Sequence, residues 1–367
     1  MPAISRFNRS WNRLLTLGAS LTVLTLVMSS CSTNETLPPQ AESRVIFAYS
    51  STTTVGLASE AKVIARIEGN FTAPRSTMFT SDGKYVAALS IDPGNTSSLK
   101  VIEVASGKSR SIPAYFDRFS AGPDSLVVWL ESPNRLMGLN LAEDQPQPRL
   151  LRAIDLPPIS GEGATAAPQL VAADRGTALL SRWEDRTSRP GPQNLYLASP
   201  NGSVKPLGRI KSNSPIGYAY YSPNGKMIAY ANDSEFCENT TVSIVDIQNS
   251  TIQTIAPPNR PEPARLVVRS IWWQPDGTLS ATFKGLPCRE QKADTEAMPD
   301  TAYNLINGSW SEISDRQVTQ ILVFGKDKAA SIASNNGNGG ELTLDLSGKQ
   351  TTIANKAQRI ITEPARD

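Results

Sequence analysis

The chain runs to 367 residues, 39% of them hydrophobic, with 36 basic against 34 acidic side chains and no histidine. That length can bury a large core, and the near-neutral charge disfavours nucleic acid as a partner. The missing imidazole excludes Ser-His-Asp and Cys-His nucleophiles, histidine-ligated metals and an imidazole general base.

At the N-terminus, Arg6, Arg9 and Arg13 precede an uncharged apolar run from Leu14 to Val27, followed by Met28-Ser29-Ser30-Cys31. Basic residues, a short apolar stretch and small residues before a cleavage point are the marks of an export signal. The uncharged stretch, Leu14 to Ser30, is short for a comfortable membrane span. Residues 1–30 therefore read as a signal peptide, with an uncleaved signal anchor as the alternative. Without them 33 basic residues face 34 acidic ones. Residues 31–43 are polar and carry Pro38 and Pro39, as suits a flexible linker.

From residue 44 onward one pattern recurs. Short turns stand at Ser81-Asp82-Gly83-Lys84, Pro123-Asp124-Ser125, Asp174-Arg175-Gly176, Pro223-Asn224-Gly225-Lys226, Pro275-Asp276-Gly277-Thr278 and Lys326-Asp327-Lys328. Their acidic or amide residue advances by 42, 50, 50, 52 and 51 positions. A period near 50 residues indicates a propeller or a solenoid. Apolar, aromatic-rich runs flank the turns, such as Tyr218 to Tyr221 before one and Met227 to Tyr230 after it, which makes each a hairpin. A second hairpin follows in each period, as at Leu99 to Val104 before Ser106-Gly107 and at Val242 to Ile247 before Asn249-Ser250.

Four antiparallel strands per period make one blade, and the class is an all-β propeller over residues 44–367. The segments Arg44 to Ser50 and Val55 to Arg66 supply three strands without a first, and Arg359 to Glu363 supplies a strand without partners. Both ends sharing a blade gives seven blades and removes the open sheet edges of a broken ring. A solenoid would call for polar capping repeats, and none is visible.

The connections after the second strand of blades four, five and six are long: Arg182 to Gln193, Asn232 to Thr241 and Lys284 to Thr301. They share one face by their phase in the repeat. Loops on a rigid scaffold concentrate binding function, so Arg182, Trp183, Glu184, Glu235, Glu238 and Arg289 are the binding-face candidates, with Trp183 foremost. Cys237 and Cys288 fall in successive loops of this class. In an exported protein such a pair is expected to form a disulfide, closing a loop of about fifty residues worth roughly 4 kcal/mol in the chain-entropy estimate. No metal ligand set, cofactor motif or catalytic residue stands out. Gly107-Lys108-Ser109 lacks the earlier glycine of a phosphate loop.

The residues before Cys31 resemble the lipobox of bacterial lipoproteins, with Met28 in place of the usual leucine. The resemblance implies a thioether-linked diacylglycerol on Cys31, cleavage just before it and further acylation, for instance by palmitate. Two or more chains suffice for stable anchoring. Ser32 is compatible with sorting to an outer membrane where the cell has two. Tyr221-Ser-Pro-Asn-Gly-Lys-Met-Ile-Ala-Tyr230 and Phe79-Thr-Ser-Asp-Gly-Lys-Tyr-Val-Ala-Ala88 resemble the repeat of TolB-like propellers, and more distantly LpqB-like ones, without those families' extra N-terminal domains. That implies an extracytoplasmic protein on the cell membrane or outer membrane, a non-enzymatic binding or scaffold protein for a protein or cell-wall glycan partner, and a monomer is expected. The alternative is a carboxylate-dependent hydrolase or lyase acting on glycans, which needs two acids spaced across the channel mouth.

Overall fold

The structure, a computed structural model, describes residues 45–60, 62–71, 76–92, 94, 96–159, 166–184, 192–210, 216, 219–232, 238–259, 265–287, 299–313, 317–335 and 339–364. Among these, 28 strands form seven four-stranded antiparallel sheets. Blade one combines β1 (Ile46–Ser50), β2 (Thr54–Ser59) and β3 (Lys62–Glu68) with β28 (Arg359–Thr362), in the order β28-β1-β2-β3. Blade two holds β4 (Met78–Phe79), β5 (Tyr85–Asp92), β6 (Thr96–Glu103) and β7 (Ser109–Ala114). Blade three holds β8 (Ser120–Ala121), β9 (Leu126–Glu131), β10 (Arg135–Asn140) and β11 (Arg149–Ala153). Blade four runs from β12 (Gln169–Asp174) through β13 (Thr177–Trp183) and β14 (Gln193–Ala198) to β15 (Val204–Ile210). Blade five contains β16 (Ala219–Tyr221), β17 (Met227–Asn232), β18 (Thr241–Asp246) and β19 (Thr251–Ile255). Blade six contains β20 (Arg265–Trp273), β21 (Leu279–Leu286), β22 (Thr301–Ile306) and β23 (Ser309–Glu312), and blade seven β24 (Val318–Gly325), β25 (Lys328–Ala333), β26 (Gly340–Leu346) and β27 (Lys349–Ala357).

The recurring Asp or Asn in the first hairpins has a local reason. In blade two, Asp82 Oδ1 accepts from the Lys84 amide at 3.2 Å and from Thr80 Oγ1 at 2.7 Å, while the Gly83 amide donates to the Thr80 carbonyl. Asn224 Oδ1 does the same for Lys226 N and Ser222 Oγ in blade five, and Asp276 Oδ1 accepts from Thr278 N in blade six. The glycine that follows takes positive φ, +70° at Gly83 and +67° at Gly225, where a side chain would be strained.

The first strand of each sheet faces the central channel, and the seven of them meet in sequence around the ring. The hydrophobic core lies between neighbouring sheets. Leu57, Phe71, Phe79, Val86 and Ile102 fill the space between blades one and two, and Ala229, Val242, Trp273, Phe283 and Tyr303 that between five and six.

Near the channel, polar side chains stitch the seams. Gln320 Nε2 donates to the Ile360 carbonyl at 2.7 Å and Gln320 Oε1 accepts from the Ile360 amide at 2.9 Å, joining blades seven and one. Gln274 does the same for Ile321 O and Val323 N between blades six and seven. Ser120 Oγ donates to Ala173 O and accepts from Ala173 N between three and four. Both glutamines are buried, so each backbone group they reach would otherwise be an orphan.

The alternation of strand direction sorts the connections. Turns between first and second strands, and between third and fourth, lie on one face, here the turn face. Connections between second and third strands and between blades lie on the other, here the loop face.

Candidate functional site

Two regions offer themselves: the loop face and the channel. On the loop face, Trp183 ends β13 opposite Gln193 and is 3% exposed, so its ring lies in the interior and is not displayed among the charges that follow it. The expectation that Trp183 leads a binding surface is corrected by strand length: β13 continues through this residue and buries it. Arg182 is buried as well. Its Nη2 donates to Tyr196 Oη at 3.1 Å and to the Pro157 carbonyl, and its guanidinium lies 5.3 Å from the Tyr196 ring centroid. This cation holds blade four to the connection before it.

Glu184 lies at the rim, where Oε1 and Oε2 accept from Arg209 Nε and Nη2 at 2.8 and 2.9 Å, and Oε1 also accepts from Asn194 Nδ2. Glu238 is exposed. Glu235, Arg289, Cys31, Cys237 and Cys288 lie outside the described residues.

Among the described residues, the aromatic that this face does display is Tyr115, 83% exposed, directly after β7. Strand alternation accounts for it: Ile112 and Ala114 point inward, Ser111 and Pro113 outward, and Tyr115 continues the outward set. The next residue, Phe116, turns back to stack on Trp129 with centroids 4.6 Å apart, which anchors the segment that carries Tyr115.

The channel encloses a cavity of about 170 Å³ in its turn-side half, to which all seven innermost strands contribute. Its walls are aromatic, from Phe79, Tyr220, Trp272 and Trp273. The indole nitrogens are already engaged: Trp272 Nε1 donates to Ile321 O and Trp273 Nε1 to Tyr220 O, both at 2.8 Å. Arg359 stands with its guanidinium carbon 4.1 Å from the Tyr220 ring centroid, within cation–π range.

Toward the turns, Ser81 Oγ contacts Asp174 Oδ1 and the Gly122 carbonyl, so blades two, three and four meet at one hydroxyl. Burial pushes the Asp174 carboxyl above its ordinary value, against the contrary effects of Ser81 and Arg175. The neighbouring Tyr221, which donates to Thr177 O at 2.9 Å, is driven well upward by burial and by the negative charge of Asp174.

Asp174 is the single carboxylate and Arg359 the single cation among the described residues of this lining. Acid–base cleavage of a glycosidic bond requires two carboxyl groups, and this lining supplies one. Among the described residues no three His, Cys, Asp or Glu side chains gather as a metal site.

No family model matches the chain, and no curated protein matches it. Solved structures do. The β-propeller domain of the trilobed protease from Pyrococcus furiosus, described as having an open velcro topology, aligns with a TM-score of 0.50 and 13% identity over 83% of this chain and 87% of that one. An oligogalacturonate lyase in complex with manganese aligns at 0.49 and 11% over 85% and 84%. TolB from Acinetobacter baumannii aligns at 0.43 and 14% over 88% of this chain and 67% of that chain.

The shared feature is the propeller fold. At these identities the likeness extends no further. Unlike an open ring, this propeller is closed by strands from both ends in blade one.

Proposed function

We propose that this protein is a lipid-anchored propeller of the cell envelope that works by binding a protein or glycan partner on its loop face. The observation that carries the reading is the division of the molecule: among the described residues one carboxylate lines the channel cavity, which has little room, whereas the opposite face bears the longer connections and the exposed Tyr115. Aromatic side chains with low conformational entropy are the usual anchors of such surfaces.

The anchor in this reading is Cys31, lipidated after residues 1–30 are removed, with residues 31–43 as spacer and a Cys237–Cys288 disulfide bracing the loop face. Intact mass of detergent-extracted protein should show the loss of residues 1–30 and the gain of acyl chains, and Cys31→Ser should release the protein into the soluble fraction. For the binding face, a photo-crosslinking residue at Tyr115 should capture an envelope protein or cell-wall fragment that the same residue at Lys226, on the turn face, does not. Equal capture at both positions would sink the assignment to the loop face.

A further inference from the structure

The path by which the chain enters the propeller has a definite side. Ile46 opens β1, pairing with Ser59 at the hairpin end of β2, and the next residue, Phe47, pairs with Thr362 near the far end of β28. The first strands run toward the turn face, because their ends carry Ser81, Asp174 and Pro223 into the first hairpins. Phe47 therefore lies at the turn-face end of blade one, and Gly83, in the first hairpin of blade two, lies against Glu363 on that same side. The chain emerges from the turn face.

From this we infer that the propeller stands with its turn face toward the bilayer and offers its loop face to partners away from the membrane. The inference rests on the lipidated Cys31 of the proposed function, and its physical basis is the reach of the spacer. Residues 32–44 number 13. Fully extended they span at most about 45 Å, and as a flexible coil they have an r.m.s. end-to-end distance of about 20 Å.

To bring the loop face down, the spacer has to pass outward over β2 and β3, about 10 Å at the usual strand spacing, and then along β3, about 23 Å for its seven residues. That path of about 33 Å uses most of the contour before the loop-face connections are cleared. With the turn face down, the same spacer needs no such detour. Chain entropy thus favours the turn-face-down orientation.

Lys108 and Tyr115 bracket β7 at its two ends, both exposed, one on each face. Lys226 and Glu238 form an equivalent pair in blade five. The test uses lipidated full-length protein in phosphatidylglycerol–phosphatidylethanolamine vesicles, with a fluorophore placed through an azido amino acid at one of these positions and a rhodamine-labelled lipid as acceptor. Energy transfer should be stronger from Lys108 than from Tyr115 and stronger from Lys226 than from Glu238, and a Gly/Ser insertion of about forty residues after Ser43 should erase both differences.

Protein that sediments with the vesicles yet transfers equally from both faces, or more from the loop face, overturns the orientation alone. A difference that survives the long insertion overturns spacer reach as its cause. Protein that stays in the supernatant with an unmodified Cys31 overturns the anchor and the orientation together.

Discussion

Gln320 does what the backbone cannot. Innermost strands of adjacent blades splay too far apart to pair, and the Gln320 amide spans the gap by donating to and accepting from Ile360. Replacing it with leucine keeps the volume and strands two buried backbone groups, each costing about 1–3 kcal/mol. Urea unfolding of Gln320→Leu should show that loss, whereas Gln253→Leu on an exposed position of β19 should shift the midpoint little. The two aspartates at the turn face titrate with opposite sign. Burial raises the Asp82 carboxyl, but hydrogen bonds from Ser125, Thr80 and Lys84 outweigh it and leave the value below the ordinary 3.8, so Asp82 stabilises the fold at higher pH and loses that contribution as the pH falls. Asp174 is raised above 3.8, so its contribution is present below the unfolded value and lost as the pH rises through the folded one. Asp174→Asn should therefore gain stability relative to the wild type on going from pH 4 to pH 7. A constant gap between their urea midpoints over that range would contradict the raised value.

At the scale of strands and turns, the first hairpins were readable because an Asp or Asn followed by Gly has one local solution, and Asp82, Asn224 and Asp276 all adopt it. The closing of blade one was readable because the strands before the first marked hairpin lacked a first member and the terminal strand lacked partners, a complementarity that β28 and β1 fulfil. Trp183 was misread for a physical reason. The charges after it suggested a loop, but β13 is buried from Ala178 to its last residue, Ser181 and Arg182 included, and burial follows the strand rather than the composition downstream. Trp183→Ala should accordingly cost about 3–5 kcal/mol of stability, with Tyr115→Ala near neutral in the same urea assay. The channel lining stayed hidden because seven strands far apart in sequence contribute to it, and which of their residues share a cavity depends on the ring as a whole. Gln320 was equally silent: a polar residue within a strand reads as outward-facing.

For the molecule as a whole, cohesion is shared among seven seams, and among the described residues one apolar cluster runs continuously through blades six, seven and one. The seam between blades seven and one is distinguished by sequence separation, since Phe47 and Thr362 pair across almost the whole domain. Removing residues 359–367 should lower the thermal midpoint and open the ring to limited proteolysis, with early cleavage in blade one, where β1 would become an innermost edge. A truncated protein as resistant as the full chain would mean that the seam contributes nothing.

The position of β28 also has a consequence in time. It is the last strand of the propeller to leave the ribosome, and β1, which it must join, is the first. Until Arg359–Thr362 has been made, blade one lacks its inner member and the circle has no means of locking.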